Sequence, residues 1–278
     1  MVSTFSIPNP RCILPRVTLS VVLIAQNEER NLPRTLDSVM PLVRDGKGEI
    51  IVVDSGSTDR TVEIARSCGA KVFVEAWKGF AAQKNSAMDK ASMDWVLQLD
   101  ADEALEPELA AEMEVALNTS PGISGFWIPR KNFFLKRWIR HGGFYPDPKL
   151  RLVRRGAGRF EEYGAHPTMK VAGPTGRFSH ALLHNAYPTL RGYIDHMNSY
   201  SSMGAEVAVA KGHRRFSLAN IVVRPLLTFI YNYFIRLGFL DGREGLLLHL
   251  YHSVYVSWKY AKAWELSRRD VASDVSTD

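Results

Sequence analysis

The chain has 278 residues, 46% hydrophobic and 23% charged, a balance that suits one large α/β domain with an appendage and excludes a disordered or low-complexity protein. Two distant cysteines, Cys12 and Cys68, support neither a disulfide framework nor a thiolate metal site, and fit a reducing cytoplasm. The net charge of +6 is uneven: residues 130–159 carry ten Arg or Lys against one acid, Asp147, a local +9 that leaves −3 elsewhere, and no nucleic-acid module accompanies that block.

Residues 1–15 lack a charged segment followed by an apolar one, so no secretory signal is expected. The apolar run Leu19-Ser-Val-Val-Leu-Ile-Ala25 predicts a buried strand, followed by a helix from Asn31 with Pro33 in its first turn and Pro41 as its limit. Glu49-Ile-Ile-Val-Val-Asp54 predicts the second strand, and Ser57-Thr-Asp-Arg-Thr61 the start of a helix that Gly69 ends. A third strand over residues 71–75, a helix over 80–91, a strand at Trp95-Val-Leu-Gln-Leu-Asp100 and a helix over 107–118 follow, and residues 125–128 return to the sheet. Strands alternating with helices predict a mostly parallel sheet with right-handed crossovers, whose ligands sit beyond the strands' carboxyl ends. The polar residues fall there: Gln26-Asn27-Glu28, Asp54, and Asp100 to Asp102. Beyond about residue 130 the pattern degrades into a basic, Gly- and aromatic-rich stretch. From about residue 190 it turns helical, with Tyr193, Met197, Tyr200 and Met203 at helical spacing.

Asp100-Ala-Asp102 places two carboxylates at a strand end, where they can hold a hard divalent cation, Mg²⁺ or Mn²⁺, that in turn grips a diphosphate. An isolated Asp-x-Asp is as often a solvated turn or a helix cap; its place behind Val96-Leu-Gln-Leu99 favours the ion, with Glu103 as assistant or decoy. Asp54-Ser-Gly-Ser-Thr-Asp59 offers a carboxylate to a base or ribose; the plainer alternative is a helix cap by Ser57 or Thr58, with Asp59 serving the helix dipole. GxGxxG and GxxxxGKS/T loops are both absent, which disfavours a dinucleotide dehydrogenase or a P-loop kinase.

Ser20-Val-Val-Leu-Ile-Ala-Gln-Asn-Glu-Glu29, Ile51-Val-Val-Asp-Ser-Gly-Ser-Thr-Asp59, Gly79-Phe-Ala-Ala-Gln-Lys-Asn85 and Leu97-Gln-Leu-Asp-Ala-Asp-Glu103 resemble, in this order, the family-2 glycosyltransferases of GT-A fold. His141-Gly-Gly-Phe-Tyr-Pro-Asp147, Leu150-Arg-Leu152, His184-Asn-Ala-Tyr187 and Gly238-Phe-Leu-Asp-Gly-Arg243 look like the lipopolysaccharide-core β-glucosyltransferases of Gram-negative bacteria. The resemblance implies a metal-dependent, inverting hexosyltransferase that moves a sugar, glucose by resemblance alone, from a UDP-sugar to a lipid-linked saccharide such as the lipopolysaccharide inner core. Asn27 and Glu28 would line the nucleotide pocket, Asp54 would read uracil or ribose, and Lys84 and Asn85 would lie beside the nucleotide or diphosphate. Asp100 would face the ribose and Asp102 the metal, with His184 either a further metal ligand or a hydrogen-bonded structural histidine. Asp147, the one acid in the basic block, is the candidate base; Glu161 or Glu162 near His166 are rivals, and Asp147 could instead pair with Arg151. The subfamily usually has an acid after the position matching His166, where this chain has Pro167. Other readings are transfer to a polyprenyl phosphate or capsule precursor, or a non-catalytic membrane scaffold that kept the fold.

A catalytic domain over residues 1–188 and a helical region over 189–278 are expected. Residues 221–240 are interrupted by Arg224, Pro225 and Arg236, against a simple span. Leu226, Leu227, Phe229, Ile230 and Phe234, and further on Leu246-Leu-Leu248, Trp258, Tyr260 and Trp264 with Lys259 and Lys262, suit helices lying on an anionic leaflet. The same residues would suit a helical pair packed on the main domain or a homodimer surface. With the resemblance, this predicts a peripheral protein on the cytoplasmic face of the inner membrane.

Overall fold

A computed structural model describes residues 18–119, 122–163 and 166–275, without the side chains of residues 162, 163, 166 and 269–275. The lead-in with Cys12, and the Glu162 and His166 side chains, lie outside the described residues.

Three apolar runs become the sheet's centre: β1 (Leu19–Ala25), β2 (Gly48–Asp54) and β4 (Trp95–Asp100), with β3 (Lys71–Val74) outside β2. All are parallel, β1 lying between β2 and β4. They are nearly continuous in hydrophobicity because both faces are covered. Val21, Leu23, Val52 and Leu97 face one core with Leu36 and Val39 of α1 (Leu32–Val43) and Leu109 and Met113 of α4 (Pro107–Thr119). Val22, Ile51, Val53 and Val96 face the other, with Ala81 and Ala87 of α3 (Phe80–Asp89). Each fully buried aliphatic side chain stabilises the fold by roughly 1.5–3 kcal/mol.

The stretch after residue 130, which carries no regular hydropathy pattern, is β-structure. β9 (Lys149–Arg154) inserts antiparallel between β4 and β6 (Gly125–Ile128), and β12 (Thr175–Arg177) runs beside β6. The seven-stranded order is β12-β6-β9-β4-β1-β2-β3, a mixed but mostly parallel sheet with flanking helices, the GT-A fold that the first half of the sequence implied. A smaller sheet joins β5 (Glu103–Leu105), β13 (Leu182–Tyr187), β7 (Arg130–Phe134) and β8 (Arg137–Trp138), and β10 (Gly158–Tyr163) pairs with β11 (His166–Val171).

Two boundaries differ from expectation. Pro41 lies inside α1, which continues to Val43 because a proline near the last turn forfeits one amide bond while Leu42 and Val43 gain burial. α2 spans Thr61–Ser67, so Ser57 and Thr58 cap nothing; both bond across to the β1 loop, and Asp59 is the carboxylate that accepts from the Thr61 amide, 3.0 Å.

The chain is helical from α5 (Leu190–Ala210) onward. A turn of π-helix, α6 (Arg224–Ile230) and a second π-turn run on as one helical stretch, which a 3₁₀ turn (Gly238–Asp241) folds back along the long α7 (Gly242–Val275); this first arm and its turn are the hairpin. Phe134, Tyr193, Met197 and Leu248 lock the small sheet to α5 and α7. α7 is a packing helix over much of its length: Leu248, Val256, Tyr260 and Ala263 are buried, and Lys262 bonds the Asn198 carbonyl and the Ser201 and Ser202 hydroxyls. The interfacial expectation for Tyr260 and Lys262 is thereby corrected, since α5 already covers them. The hairpin differs: Leu218, Leu226, Leu227, Phe234 and Ile235 are each more than half exposed. Among the described residues no helix is long and apolar enough to cross a membrane.

Candidate active site

Strand register brings the predicted acids to one rim. Ala25 pairs with Asp54 and Ile24 with Asp100, so the loops after β1, β2 and β4 leave the same edge of the sheet.

The first two loops are laced together. The Asn27 amide donates to Ser57 Oγ, 2.9 Å, and Asn27 Oδ1 accepts from the Thr58 amide, 2.8 Å. Glu28 and Glu29 donate their amides to Thr61 Oγ1 and Asp59 Oδ2, 2.7 and 3.1 Å. Asp54 is almost fully buried and accepts from the amides of Gly56 and Ser57 and from the Ser57 hydroxyl. Its carboxylate shapes the loop from within. Glu28 is half-buried and accepts from Asn31 Nδ2, 2.9 Å. Burial raises its pKa, and the fields of Asp102, Asp59 and Asp100 add to that, against the Asn31 bond.

The third loop rests on a buried ionic chain. Asp100 Oδ1 accepts from Lys84 Nζ and Oδ2 from Arg151 Nη2, both 2.5 Å. Arg151 also donates to Glu103, 2.8 Å, and to Gln98; Arg130 bridges Glu103, 3.0 Å, to Asp147, 2.7 Å. Burial alone would push the Asp100 carboxyl up, but Arg151 and Lys84 hold it well below the usual carboxylate range. Glu103, fully buried, is an internal counter-ion. Asn85 forms a two-way clamp on the Phe160 backbone, 2.9 Å each way, so its amide braces α3 against β10.

Asp102 is the aspartate of the pair whose carboxylate meets no Lys or Arg side chain at ion-pair distance among the described residues. It is a quarter exposed, and its Oδ2 lies 3.3 Å from His184 Nε2. Burial raises its pKa, outweighed by His184. Asn132 fixes the state of that histidine. Its Nδ2 donates to the Phe144 carbonyl, 3.0 Å, and to Asp147, 3.1 Å, so its Oδ1 is an acceptor and His184 Nδ1, 2.7 Å away, must donate to it. In the neutral ring Nε2 is then a bare lone pair facing a carboxylate oxygen. Two acceptors at that distance call for a cation between them, a proton or a metal ion. The carboxylate oxygen suits Mg²⁺ or Mn²⁺, and an imidazole nitrogen beside it fits Mn²⁺ better than the harder Mg²⁺; no cluster of three or more His, Cys, Asp or Glu residues occurs among the described residues, so a bound ion would complete its shell with phosphate oxygens and water.

Asp147 sits across Asn132 from His184. Lys149 holds its other oxygen, 2.8 Å, and although burial raises its pKa, Arg130 and Lys149 bring it below the ordinary value. A cleft of ≈ 340 Å³ opens here, lined by Arg130, Asn132, Asp147, His184, Asn232 and Arg236 among others. The pairing of Asp147 with Arg151 that the sequence allowed does not occur, because Arg151 points to β4 and Arg130 takes that place. Glu161 is exposed on β10. Sequence reasoning missed Arg130, Asn132 and Glu103's partners. The available signal was a lone arginine in the apolar run Leu150-Arg-Leu-Val153, all four of whose residues are buried.

A family model, Glycosyl transferase family 2, matches residues 20–173. The lipopolysaccharide core biosynthesis glycosyltransferase LpsC of Rhizobium meliloti is 30% identical over 237 residues, 83% of this chain and 84% of the relative. An uncharacterised glycosyltransferase of Rickettsia typhi is 28% identical over 92% of this chain and 91% of its own. A crystal structure of glucosyl-3-phosphoglycerate synthase from Mycobacterium tuberculosis, in complex with Mn²⁺, UDP and glucosyl-3-phosphoglycerate, aligns with a TM-score of 0.47 at 21% identity, covering 69% of this chain and 79% of that one.

Proposed function

Because the chain belongs to glycosyltransferase family 2, we propose that its rim binds a UDP-sugar and that the protein transfers the sugar, with inversion, to a lipid-linked saccharide of the bacterial envelope. The observation that carries this is Asp102, partly exposed, free of Lys or Arg at ion-pair distance among the described residues and 3.3 Å from His184 Nε2, at the same sheet edge as the Asn27–Thr58 loop lattice. Asp102 and His184 are the residues that would hold Mg²⁺ or Mn²⁺, whose charge offsets that developing on the diphosphate. Asn27, Glu28 and the loop shaped by Asp54 form the nucleotide wall, Asp100 faces the ribose, and Lys84, paired to it, backs the diphosphate side. Glucose as donor sugar and the lipopolysaccharide core as acceptor rest on likeness to the core glycosyltransferases.

In the reaction an acceptor hydroxyl oxygen bonds to the anomeric carbon from the face opposite the diphosphate. The bond from that carbon to the phosphate oxygen breaks, and UDP leaves with the electron pair. The hydroxyl proton goes to Asp147, the acid lining the cleft. Arg130 and Lys149 keep that carboxylate ionised before the acceptor arrives.

The hairpin supports a peripheral membrane location at the cytoplasmic face. Its apolar residues stand exposed between Arg214 and Arg215 at one end and Arg243 at the other, a pairing that suits an anionic leaflet. The test is UDP release. Purified protein, Mn²⁺ and a panel of UDP-sugars should release UDP when a Gram-negative envelope glycolipid extract is added; no release with any donor, from protein that such donors protect against heat, would leave a binding protein rather than a transferase.

A further inference from the structure

Two motifs far apart in the chain, His141-Gly-Gly-Phe-Tyr-Pro-Asp147 and Gly238-Phe-Leu-Asp-Gly-Arg243, meet in space. Asp241, buried at 1% exposure, accepts from the amides of Arg140 and His141, 3.2 and 2.8 Å, and lies 3.0 Å from His141 Nδ1. The Gly142 amide donates to the Arg236 carbonyl, 2.9 Å. The loop that carries Asp147 is thus pinned to the tip of the hairpin.

Gly142 and Gly143 both have positive φ and no room for a side chain. A Cβ at Gly142 would stand 1.9 Å from His249 Cε1, and one at Gly143 only 2.2 Å from Arg236 Nη1. The missing side chain at Gly143 therefore lets the Arg236 guanidinium approach the loop backbone closely, at the edge of the cleft that also holds Arg130, Asn132, Asp147 and His184. The other arginine there is matched, Arg130 by Glu103 and Asp147, and Lys149 behind the cleft is matched by Asp147. Arg236 makes no ion pair among the described residues and is exposed; its guanidinium lies over the Tyr231 ring, 5.8 Å from the centroid, a contact that leaves its charge without a counter-ion. A guanidinium presented to a cleft without a counter-ion is a site for a phosphate or carboxylate.

We propose that the cleft between the small sheet and the hairpin is the acceptor subsite, and that Arg236 anchors an anionic group, phosphate or carboxylate, on the acceptor saccharide. This rests on the transfer reaction proposed above and adds to it the charge of the acceptor and the residue that reads it. Arg236 leaves the hairpin between Ile235 and Leu237, both exposed apolar residues, so the anion it holds is delivered beside the hairpin's greasy surface. A saccharide linked to lipid, with its anionic group near the anchored end, fits that placement. The hydroxyl to be glycosylated then reaches inward to Asp147.

The test uses the full chain, Arg236→Gln, Arg236→Lys, and Gly143→Ala, which displaces the guanidinium while keeping it. The probes are inorganic phosphate and an envelope glycolipid extract, used intact and deacylated. Loss of one charge-assisted contact should raise the acceptor KM of R236Q about tenfold on either form, with R236K retaining most of the affinity and G143A matching R236Q. The KM for the UDP-sugar should stay within about twofold. Phosphate should inhibit wild type competitively with acceptor, and inhibit R236Q far less. Competition with the UDP-sugar instead would assign Arg236 to the donor and overturn the proposal. A defect seen on the intact glycolipid but absent on the deacylated saccharide would assign it to membrane headgroups and overturn the proposal equally. Phosphate should also raise the melting temperature of wild type and not of R236Q, whether or not transfer is detected; equal shifts in both proteins would sink the anion site even if UDP release stands.

Discussion

Arg151→Met removes the centre of the buried ionic chain under the rim while leaving a side chain of similar length. Arg151 is 5% exposed and bonds Asp100, Glu103 and Gln98. Taking one partner from a buried pair costs about 3–5 kcal/mol because the stranded charge stays desolvated. Asp100 keeps Lys84 and Glu103 keeps Arg130, so the loss should sit at the lower end, about 3 kcal/mol, or roughly 6–12 °C in melting temperature for a chain of this size. Glu103→Gln added to R151M neutralises a fully buried carboxylate left with one cation in place of two, while Arg130 keeps Asp147, and should return about 1–2 kcal/mol of that loss. Calorimetry on the wild type, R151M and the double variant is the assay. An R151M protein melting within about 2 °C of wild type, or a double variant less stable than R151M, would show that the chain is not a coupled buried network.

Asp102→Ala should abolish metal-dependent transfer and the heat protection that Mn²⁺ with UDP gives, while Glu108→Gln, on the exposed face of α4, changes neither; full activity at the wild-type metal concentration would refute the assignment. Asp147→Asn should lower kcat about 10²–10⁴-fold with the UDP-sugar KM little changed. Since the pKa of Asp147 is depressed, its ionised form persists below the ordinary carboxylate range near 3.9, so it adds no slope to the kcat profile between about pH 5 and 8; a kcat for D147N within threefold of wild type would remove it as base. Glu49 tests linkage away from the site. Although burial acts to raise its pKa, Lys71 at 2.7 Å, Ser20 and Ser92 bring it to about 2, so it stabilises the fold fully above about pH 4.5 and that contribution fades as pH falls toward 2. Glu49→Gln should therefore cost about 1–2 kcal/mol in urea unfolding at pH 7 and clearly less at pH 3; an equal deficit at both would contradict it. Leu226→Asp with Phe234→Asp should strip the protein from anionic vesicles in flotation, each substitution being worth about tenfold or more in partitioning, and unchanged flotation would remove the hairpin as the anchor.

What the sequence disclosed follows from where each contact is encoded. β1, β2 and β4 are sandwiched between helices, so their burial is written locally as unbroken apolar runs, and the polar residues that end them mark the rim. β9 defeats that signal because Arg151 sits inside it, and an ion-paired buried arginine reads as surface in any hydropathy pattern. The same holds for Asn132, whose meaning lies in His184 and Asp147, partners that only the folded small sheet brings near. Composition also could not separate α7 from the hairpin before it: both mix aromatics with Lys or Arg, yet α5 covers Tyr260 and Val256 while nothing among the described residues covers Leu226 or Ile235. The two late glycine-containing motifs read as separate surface features. Asp241 binding the backbone at His141 makes them one joint, so a substitution at either motif should disturb the cleft as much as the helix it sits on. Asp241→Asn, keeping shape but losing charge-assisted acceptance, is the sharpest expression of that coupling: it should raise acceptor KM with the hairpin still folded, because that carboxylate, beside the Gly142 amide bond to the Arg236 carbonyl, holds the Gly142–Gly143 loop that seats Arg236 and leads to Asp147.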